Sequence, residues 1–204
     1  DGTITDSALG ITNSVMYALK KFGIEETDRT KLYKFIGPPL TESFEKFYGF
    51  TKEQSLDGVK YYREYYHDKG IYENRVYDGL EEVLKKINEA GKQAIVATSK
   101  PEKYAKIIID HFHLTKYFAC VAGMEMDGGR GTKAQVITYA LEKNDITDKS
   151  NVLMIGDREH DVIGAHENGL DCLGILYGFG SRKEFEEAGA DYIRENVEDI
   201  LQFV

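Results

Sequence analysis

The sequence predicts an α/β protein: a doubly wound parallel sheet with an inserted all-helical domain. From residue 79 onward, short apolar runs alternate with amphipathic segments, the pattern of a parallel sheet with helices on both faces. Residues 27–72 are helical in pattern throughout. The 204 residues are enough for a core with a smaller insertion. We therefore predict a core of residues 1–10 and 75–204 and a helical insertion of residues 11–74.

The first part of the chain begins with turn residues and continues as helices. Residues 1–7 contain several potential N-caps, and apolar side chains then recur at helical spacing up to Gly23, which can end the helix. Gly-Pro-Pro at residues 37–39 separates the next two apolar stripes. The tyrosines within residues 61–66 lie at i and i+4, which favours two core and two surface side chains. Stacking on a nucleotide base is the alternative.

The core elements follow from apolar runs bounded by glycine, proline and polar residues. The predicted strands are residues 94–97, 118–122, 152–155, 172–176 and 192–193. The predicted helices are residues 80–90, 101–112, 134–141, 162–168, 184–188 and 197–203. Pro101 is expected in the first turn of its helix, where its missing N–H costs nothing.

Composition narrows the classes of partner. The net charge of −9 argues against nucleic-acid polymers and anionic membranes, so local positive groups must hold any anionic ligand. No apolar run approaches the ~20 residues that span a bilayer. Cys120 and Cys172 each lie in an apolar run, which predicts two buried, reduced thiols in a cytoplasmic protein. Two isolated cysteines are too few for a zinc site.

The strongest candidate site is residues 152–161, Val-Leu-Met-Ile-Gly-Asp-Arg-Glu-His-Asp. An apolar strand ends there, and Asp157 and Asp161 follow, with Arg158 as the nearby cation. Ligands of open α/β sheets lie at the carboxyl ends of the strands, and two carboxylates at that edge favour a hard cation such as Mg²⁺. The alternative is a simple helix start, with Asp157 as N-cap and Asp161 as a favourable first-turn charge.

Polar groups at other strand ends fit a phosphate beside this ion. Thr98 and Ser99 follow an apolar strand, Lys133 follows the glycine-rich residues 128–131, and Asp1-Gly2-Thr3 begins the sequence. Hydroxyls and the N–H groups of a helix N-terminus bind phosphate oxygens, and a lysine offsets their charge. Each also has a structural explanation: Thr98 or Ser99 can cap the next helix, Lys133 can be a solvated surface lysine, and Asp1 can begin a turn.

These motifs, in this order, resemble the haloacid dehalogenase superfamily of phosphotransferases, and within it the phosphoglycolate phosphatase-like branch. The first family motif is Asp-x-Asp-Gly-Thr, and Asp1-Gly2-Thr3 matches its last three residues. The second, a Thr or Ser after a strand, matches Thr98, and the third, a lysine, matches Lys133. The fourth, Gly-Asp-x-x-x-Asp, matches residues 156–161. Residues 76–79, 177–181 and 188–191 resemble the return from cap to core and the tail of this branch.

The resemblance implies a mechanism in which an aspartate forms an aspartyl-phosphate that water then hydrolyses. Asp1 matches the residue that protonates the leaving oxygen and later activates water, and its carbonyl would face Mg²⁺. Asp157 is implied as a direct metal ligand and Asp161 as a ligand or its support. The implied phosphoryl-binding residues are Gly2, Thr98, Ser99 and Lys133. The nucleophile belongs two residues before Asp1, so we expect the natural protein to have residues upstream of this sequence.

The implied substrate is a small phosphorylated metabolite, hydrolysed by a monomer or homodimer with Mg²⁺. Residues 35–40 resemble the cap loop that reaches over the catalytic pocket. Lys34 is a candidate contact for a second anionic group, with a solvated lysine as the alternative. The substrate stays open between phosphoglycolate, a nucleoside monophosphate and a sugar phosphate, so a 5'-nucleotidase and a sugar-phosphate phosphatase are the alternatives within the superfamily.

Other function classes fit the sequence less well. Gly178-Phe179-Gly180 follows a strand, as in a dinucleotide-binding oxidoreductase, but Lys183 stands where that fingerprint has Gly or Ala. A serine hydrolase needs a Gly-x-Ser-x-Gly elbow, which the sequence lacks. A non-catalytic phosphate-binding regulatory protein is the remaining alternative, and an aspartate two residues before Asp1 would favour the enzyme over it.

Overall fold

The computed structural model describes residues 1–126 and 129–204. Gly128, part of the predicted glycine-rich segment, lies outside the described residues. Backbone contacts divide the chain into two compact units: the first holds Asp1 and residues 5–75, and the second holds residues 2–4 and 76–204. The division predicted from the sequence, with the core as residues 1–10 and 75–204, stays a prediction. No helix within the described ranges combines the length and the apolar character needed to cross a bilayer.

The first unit is almost entirely helical, as the pattern of residues 27–72 predicts. Its elements are strand β1 (Thr5–Asp6), helix α1 (Ala8–Lys21), a 3-10 helix (Arg29–Phe35), α2 (Leu40–Tyr48), α3 (Lys52–Tyr65) and a π-helical turn (Tyr66–Gly70). Thr51 caps α3 because its hydroxyl accepts from the Gln54 N–H while the Gln54 side chain accepts from the Thr51 N–H. The short strand β2 (Arg75–Val76) leads out of this unit.

Aromatic side chains form much of the interior of the first unit. Phe35 and Phe44 pack edge to face at 5.2 Å, and both are almost completely buried. Tyr62 and Tyr66 are buried and stack at 5.3 Å, as the core interpretation of the tyrosine spacing predicts. The Lys34 ammonium lies 4.3 Å from the ring centre of Phe47, which is a cation–π contact on an exposed side chain.

The second unit alternates strands with helices. Its strands are β3 (Ala94–Pro101), β4 (Phe118–Met124), β5 (Leu153–Gly156), β6 (Asp171–Ile175) and β7 (Tyr192–Arg194). Its helices are α4 (Leu80–Glu89), α5 (Glu102–His111), α6 (Lys133–Lys143), α7 (Glu159–Glu167) and α8 (Arg182–Ala188), with 3-10 helices at Thr115–Tyr117 and Val197–Phe203. β3 pairs with β4, β5 with β6, and β6 with β7, all in parallel. The predicted α/β class with parallel strands is confirmed.

Separate apolar clusters lie on the two faces of these strands. One cluster joins α4, α5 and the Val197–Phe203 helix to strand side chains that include Val121 and Leu173. On the other face, two further clusters join α6, α7 and α8 to strand side chains that include Ala122 and Cys172. Successive side chains of a strand point to opposite faces, so this alternation is what a doubly wound sheet requires. Cys120 and Cys172 are both free thiols, as predicted. Cys172 is fully buried, but Cys120 is only half-buried, so the prediction of a buried thiol is wrong at Cys120.

Most elements differ from the sequence prediction by one or more residues at an end, and the differences that follow are the most informative. β3 continues to Pro101 because its pairing with β4 extends through Thr98 opposite Gly123 and Pro101 opposite Met124. Pro101 is therefore the N-cap of α5 and not a residue of its first turn. α7 begins at Glu159, earlier than predicted, which places Asp161 in its first turn. The last helix is a 3-10 helix.

Candidate functional site

Asp157 lies directly after β5, in the turn that leads into α7. The residue is 4% exposed. Its Oδ1 accepts a hydrogen bond from the Thr3 hydroxyl at 3.2 Å, and its Oδ2 accepts one from the Phe179 N–H at 3.0 Å. Thr3 and Asp157 are 154 positions apart in the sequence. The opening residues and the predicted metal motif therefore meet in the folded second unit.

Glycines allow the backbone to approach these carboxylates closely. Gly2 has a φ of +74°, and a Cβ on it would fall 1.9 Å from Oδ2 of Asp157. A Cβ on Gly156 would fall 2.2 Å from Cγ of Asp161. No other residue type fits at Gly2, because it combines a left-handed backbone with direct contact to the buried carboxylate.

Asp161 uses both carboxylate oxygens within the protein. Oδ2 accepts from the N–H groups of Asp157 at 3.0 Å and of Arg158 at 3.1 Å. Oδ1 forms an ion pair with Lys133 Nζ at 2.7 Å. These contacts fix the turn that carries Asp157. The N-cap of α7 is Arg158, so the alternative interpretation of Asp157 as N-cap is wrong, whereas Asp161 does lie in the first turn.

Lys133 is the first residue of α6 and its side chain is only 11% exposed. Thr132 begins the helix with a capping box closed by Gln135. Besides Asp161, the Lys133 ammonium reaches the carbonyl oxygen of Ala97 at 2.7 Å. The interpretation of Lys133 as a solvated surface lysine is therefore wrong. Its ammonium connects β3 to the turn after β5.

Thr98 and Ser99 lie in the part of β3 that extends beyond its apolar run, and both are half-buried. Oγ1 of Thr98 accepts from the Lys100 N–H at 3.1 Å. Neither residue caps α5, since Pro101 holds that position. Accepting one bond does not use the hydroxyl proton of Thr98, which can still donate to an anion.

Asp1 is half-buried and belongs to the first unit by its backbone contacts, whereas the next residue, Gly2, belongs to the second unit. Its predicted roles as acid, base and metal contact stay predictions. The same holds for the phosphoryl-binding roles assigned to Gly2, Thr98, Ser99 and Lys133.

The surroundings of Asp157 disfavour a negative charge that has no cation beside it. Burial raises the pKa of Asp157, and the negative charge of Asp161 raises it further, while the hydrogen bonds from Phe179 and Thr3 offset part of this effect. A buried carboxylate in this state is stabilised by a cation.

No cluster of three or more His, Cys, Asp or Glu side chains with metal-holding geometry occurs within residues 1–126 and 129–204. The donors around Asp157 nevertheless fit Mg²⁺, which takes one or two carboxylates together with substrate oxygens and water. In that arrangement Asp157, whose oxygens accept hydrogen bonds from the neutral Thr3 and Phe179 donors, would be the ligand, and Asp161, whose Oδ1 is paired with the Lys133 ammonium, would be the support.

Two features of the site are not evident from local sequence. The guanidinium of Arg158, the cation nearest the two carboxylates in sequence, pairs with Glu184 at 2.8 Å. The loop of residues 177–180 lies against Asp157, although the sequence links it to the tail of the family branch and to a poor dinucleotide-binding match, and not to Asp157. The resemblance of residues 177–181 to the family tail drew attention to this loop, but it did not indicate that the loop contacts Asp157.

Comparisons with known proteins agree with the fold and the motifs. Residues 1–175 match the family model for haloacid dehalogenase-like hydrolases. A 5'-nucleotidase of Pseudomonas aeruginosa is 44% identical over 184 residues, which are 90% of this chain and 83% of that protein. The tyrosine-protein kinase PtkA of Mycobacterium tuberculosis is 34% identical over 88% of this chain, which spans only 61% of that kinase. The crystal structure of a predicted phosphatase from Clostridium acetobutylicum superposes with a TM-score of 0.94 and 47% identity, covering 99% of this chain and 93% of that one.

Proposed function

The chain belongs to the haloacid dehalogenase-like hydrolases, and from this membership we propose that it is a Mg²⁺-dependent phosphatase of small phosphomonoesters that works through an aspartyl-phosphate. One continuous set of contacts supports the proposal. Thr3 binds Asp157, the Asp157 N–H binds Asp161, Asp161 pairs with Lys133, and Lys133 reaches the carbonyl that precedes Thr98. Residues from all four motifs are thus linked within one unit.

The residues present fit Mg²⁺, which would supply charge stabilisation to the phosphoryl oxygens. Asp157 would hold the ion, and Asp161 would orient Asp157 through its backbone N–H. The Thr98 hydroxyl and the Lys133 ammonium would bind the transferring phosphoryl group. Lys133 would also reduce the repulsion between an attacking carboxylate and the phosphate dianion.

The covalent step requires an aspartate two residues before Asp1. Its carboxylate oxygen forms a bond to phosphorus as the ester P–O bond breaks, and Asp1 gives its proton to the leaving oxygen. Asp1 then takes a proton from water, which attacks phosphorus and releases phosphate and the free carboxylate. Proton transfer of this kind contributes about 10²–10⁴-fold to the rate.

The substrate we favour is a nucleoside monophosphate, because the relative at 44% identity is named a 5'-nucleotidase. Phosphoglycolate and sugar phosphates, which the sequence motifs fit equally well, belong in the same substrate panel. The dinucleotide-dependent oxidoreductase is set aside, since the family is one of hydrolases.

The test is hydrolysis of an aryl phosphate by the full-length protein with Mg²⁺ and with EDTA, followed by the substrate panel. We expect turnover only with Mg²⁺ and the highest kcat/KM for a nucleoside monophosphate, and a higher value for phosphoglycolate or a sugar phosphate would contradict the favoured substrate. Phosphate binding without turnover would favour the regulatory protein instead. Transfer of phosphate from ATP to a tyrosine peptide, the activity in the name of the kinase relative, would also contradict the proposal.

A further inference from the structure

The loop of residues 177–180, which follows β6, has no role in the proposed mechanism. The Phe179 N–H donates to Oδ2 of Asp157 at 3.0 Å. The Tyr177 hydroxyl donates to the backbone carbonyl of Thr3 at 3.0 Å, across 174 positions of sequence. One short loop therefore contacts both the candidate metal ligand and the opening segment beside it.

The backbone of this loop lies directly against Asp157. A Cβ on Gly178 would fall 2.3 Å from Cβ of Asp157 and 2.5 Å from the Gly2 carbonyl oxygen. A Cβ on Gly180 would fall 2.1 Å from the Asp157 carbonyl oxygen. Close approach, and not an unusual φ, is the reason for glycine at both positions. Both neighbours of Phe179 in sequence are thus small enough to bring its N–H to the carboxylate.

Tyr177 is held in place by its own neighbours. Its ring meets the ring of Tyr77 edge to face, with centroids 4.8 Å apart, and the Tyr77 N–H donates to the Ile4 carbonyl at 3.3 Å. Burial raises the pKa of Tyr177, so the phenol remains a protonated donor at neutral pH. The hydroxyl of Tyr177 is therefore available as a hydrogen-bond donor to the Thr3 carbonyl throughout the working range.

These hydrogen bonds and the backbone of residues 177–179 form a closed ring that includes the Asp157 carboxylate. The Tyr177 hydroxyl binds the Thr3 carbonyl, the Thr3 hydroxyl binds Oδ1 of Asp157, and the Phe179 N–H binds Oδ2. Both oxygens of Asp157 are oriented by groups that the loop either supplies or fixes. Removing the Tyr177 hydroxyl breaks one hydrogen bond of this ring and changes no atom that contacts Asp157.

We propose that Tyr177 is a positioning residue for Mg²⁺ binding: its hydroxyl fixes Thr3 against Asp157 and so orients the metal-binding carboxylate. The identity of the ion rests on the proposed function. Groups that orient a metal ligand typically change metal affinity by about 10–100-fold when they are removed. Tyr177 acts through Thr3, so the lower end of that range is expected.

The experiment compares Tyr177→Phe with Tyr117→Phe in the full-length protein. The first removes one hydroxyl and keeps the ring against Tyr77. The second removes the hydroxyl that donates to Glu81 at 2.9 Å just before β4, at the amino ends of the strands and away from the site. Calorimetric titration with Mg²⁺ alone should give a Kd about 10-fold higher for Tyr177→Phe and unchanged for Tyr117→Phe. The Mg²⁺ concentration for half-maximal hydrolysis should rise by the same factor, with KM for the phosphomonoester unchanged.

Equal Mg²⁺ affinity in Tyr177→Phe and the wild type would overturn the positioning role and leave the phosphatase proposal intact. An equal loss in both tyrosine variants would also overturn it, because the effect would then not depend on Thr3. If the wild type itself neither bound Mg²⁺ nor hydrolysed a phosphomonoester, the proposed function would fail first and this inference with it. The two failures are therefore distinguishable in the wild-type control.

Discussion

Lys133 and Asp161 form an ion pair with 2.7 Å between Nζ and Oδ1, and their side chains are 11% and 10% exposed. The pair joins the first turn of α6 to the first turn of α7. Lys133 also binds the carbonyl of Ala97, and Asp161 also accepts from the Asp157 N–H. Three strand-end segments are therefore fixed by two side chains, and a change in either one alters the position of all three.

We expect Lys133→Ala to lose both stability and activity. The substitution leaves the Asp161 carboxylate buried without its cation, and breaking a buried pair in this way costs about 3–5 kcal/mol. The two backbone hydrogen bonds to Asp161 place the expected loss near the lower end, about 3 kcal/mol. If Lys133 binds the phosphoryl group as proposed, turnover should fall by roughly 10² or more, because that group loses a fixed positive charge. Urea unfolding and aryl phosphate hydrolysis measure the two effects.

Lys85→Ala is the matched control for this variant. Lys85 lies on α4, where its ammonium is 3.9 Å from Glu89 and both side chains are exposed. Such surface pairs contribute less than about 1 kcal/mol. If Lys133→Ala were no more destabilising than Lys85→Ala, the structural role assigned to the Lys133 pair would be wrong.

Asp157→Asn should abolish the response to Mg²⁺ and most activity. The variant keeps the shape of the side chain but removes the charge that would hold the ion. Because that charge is buried and disfavoured by Asp161, we expect the melting temperature in EDTA to equal or exceed that of the wild type. Thermal unfolding with and without Mg²⁺ checks both statements. Asp110→Asn, on the exposed side of α5, should keep the wild-type response to Mg²⁺.

The tyrosines of α3 provide a test of substrate recognition. Tyr62 is 6% exposed and stacks on Tyr66, so its ring belongs to the interior of the first unit. Tyr62→Ala should destabilise by about 3–5 kcal/mol, the usual cost of emptying a buried aromatic site. Tyr62→Phe should leave KM for a nucleoside monophosphate unchanged. Because Tyr62→Phe keeps the ring, the base-stacking alternative is tested with Tyr62→Leu, which removes it, and a several-fold rise in KM for the nucleoside monophosphate in that variant would favour stacking.

Local sequence indicates where the candidate site residues lie along the strands, but it does not indicate which groups they contact. Apolar runs that stop at a turn indicate where Asp157 and Thr98 lie, because strand ends follow directly from hydrophobic patterning. The same patterning ended β3 at Ala97, since Thr98 and its polar successors are not apolar, yet pairing with β4 carries the strand to Pro101. Backbone pairing is decided by the neighbouring strand, and no local pattern contains that information.

The hydrogen-bond partners of Asp157 are a second example of contacts that local sequence does not predict. Thr3 and Phe179 lie 154 and 22 positions away along the chain, and only the folded second unit brings them to one carboxylate. The pairing of Lys133 with Asp161 could be suspected from the motif order but not from spacing. Arg158 is the cation nearest the two carboxylates in sequence, and its guanidinium pairs with Glu184, a partner 26 positions away along the chain.

Asp161→Asn separates a direct metal ligand from a supporting residue. An amide oxygen at this position can still accept from the N–H groups of Asp157 and Arg158, but its NH₂ group would face the Lys133 ammonium, so the ion pair is lost. If Asp161 only supports Asp157, the variant should still bind Mg²⁺, about 10–100-fold more weakly than the wild type. Calorimetric titration with Mg²⁺ measures this directly, alongside Asp157→Asn. Complete loss of binding in both variants would instead identify Asp161 as a ligand, because removal of a support weakens the site while removal of a donor eliminates it.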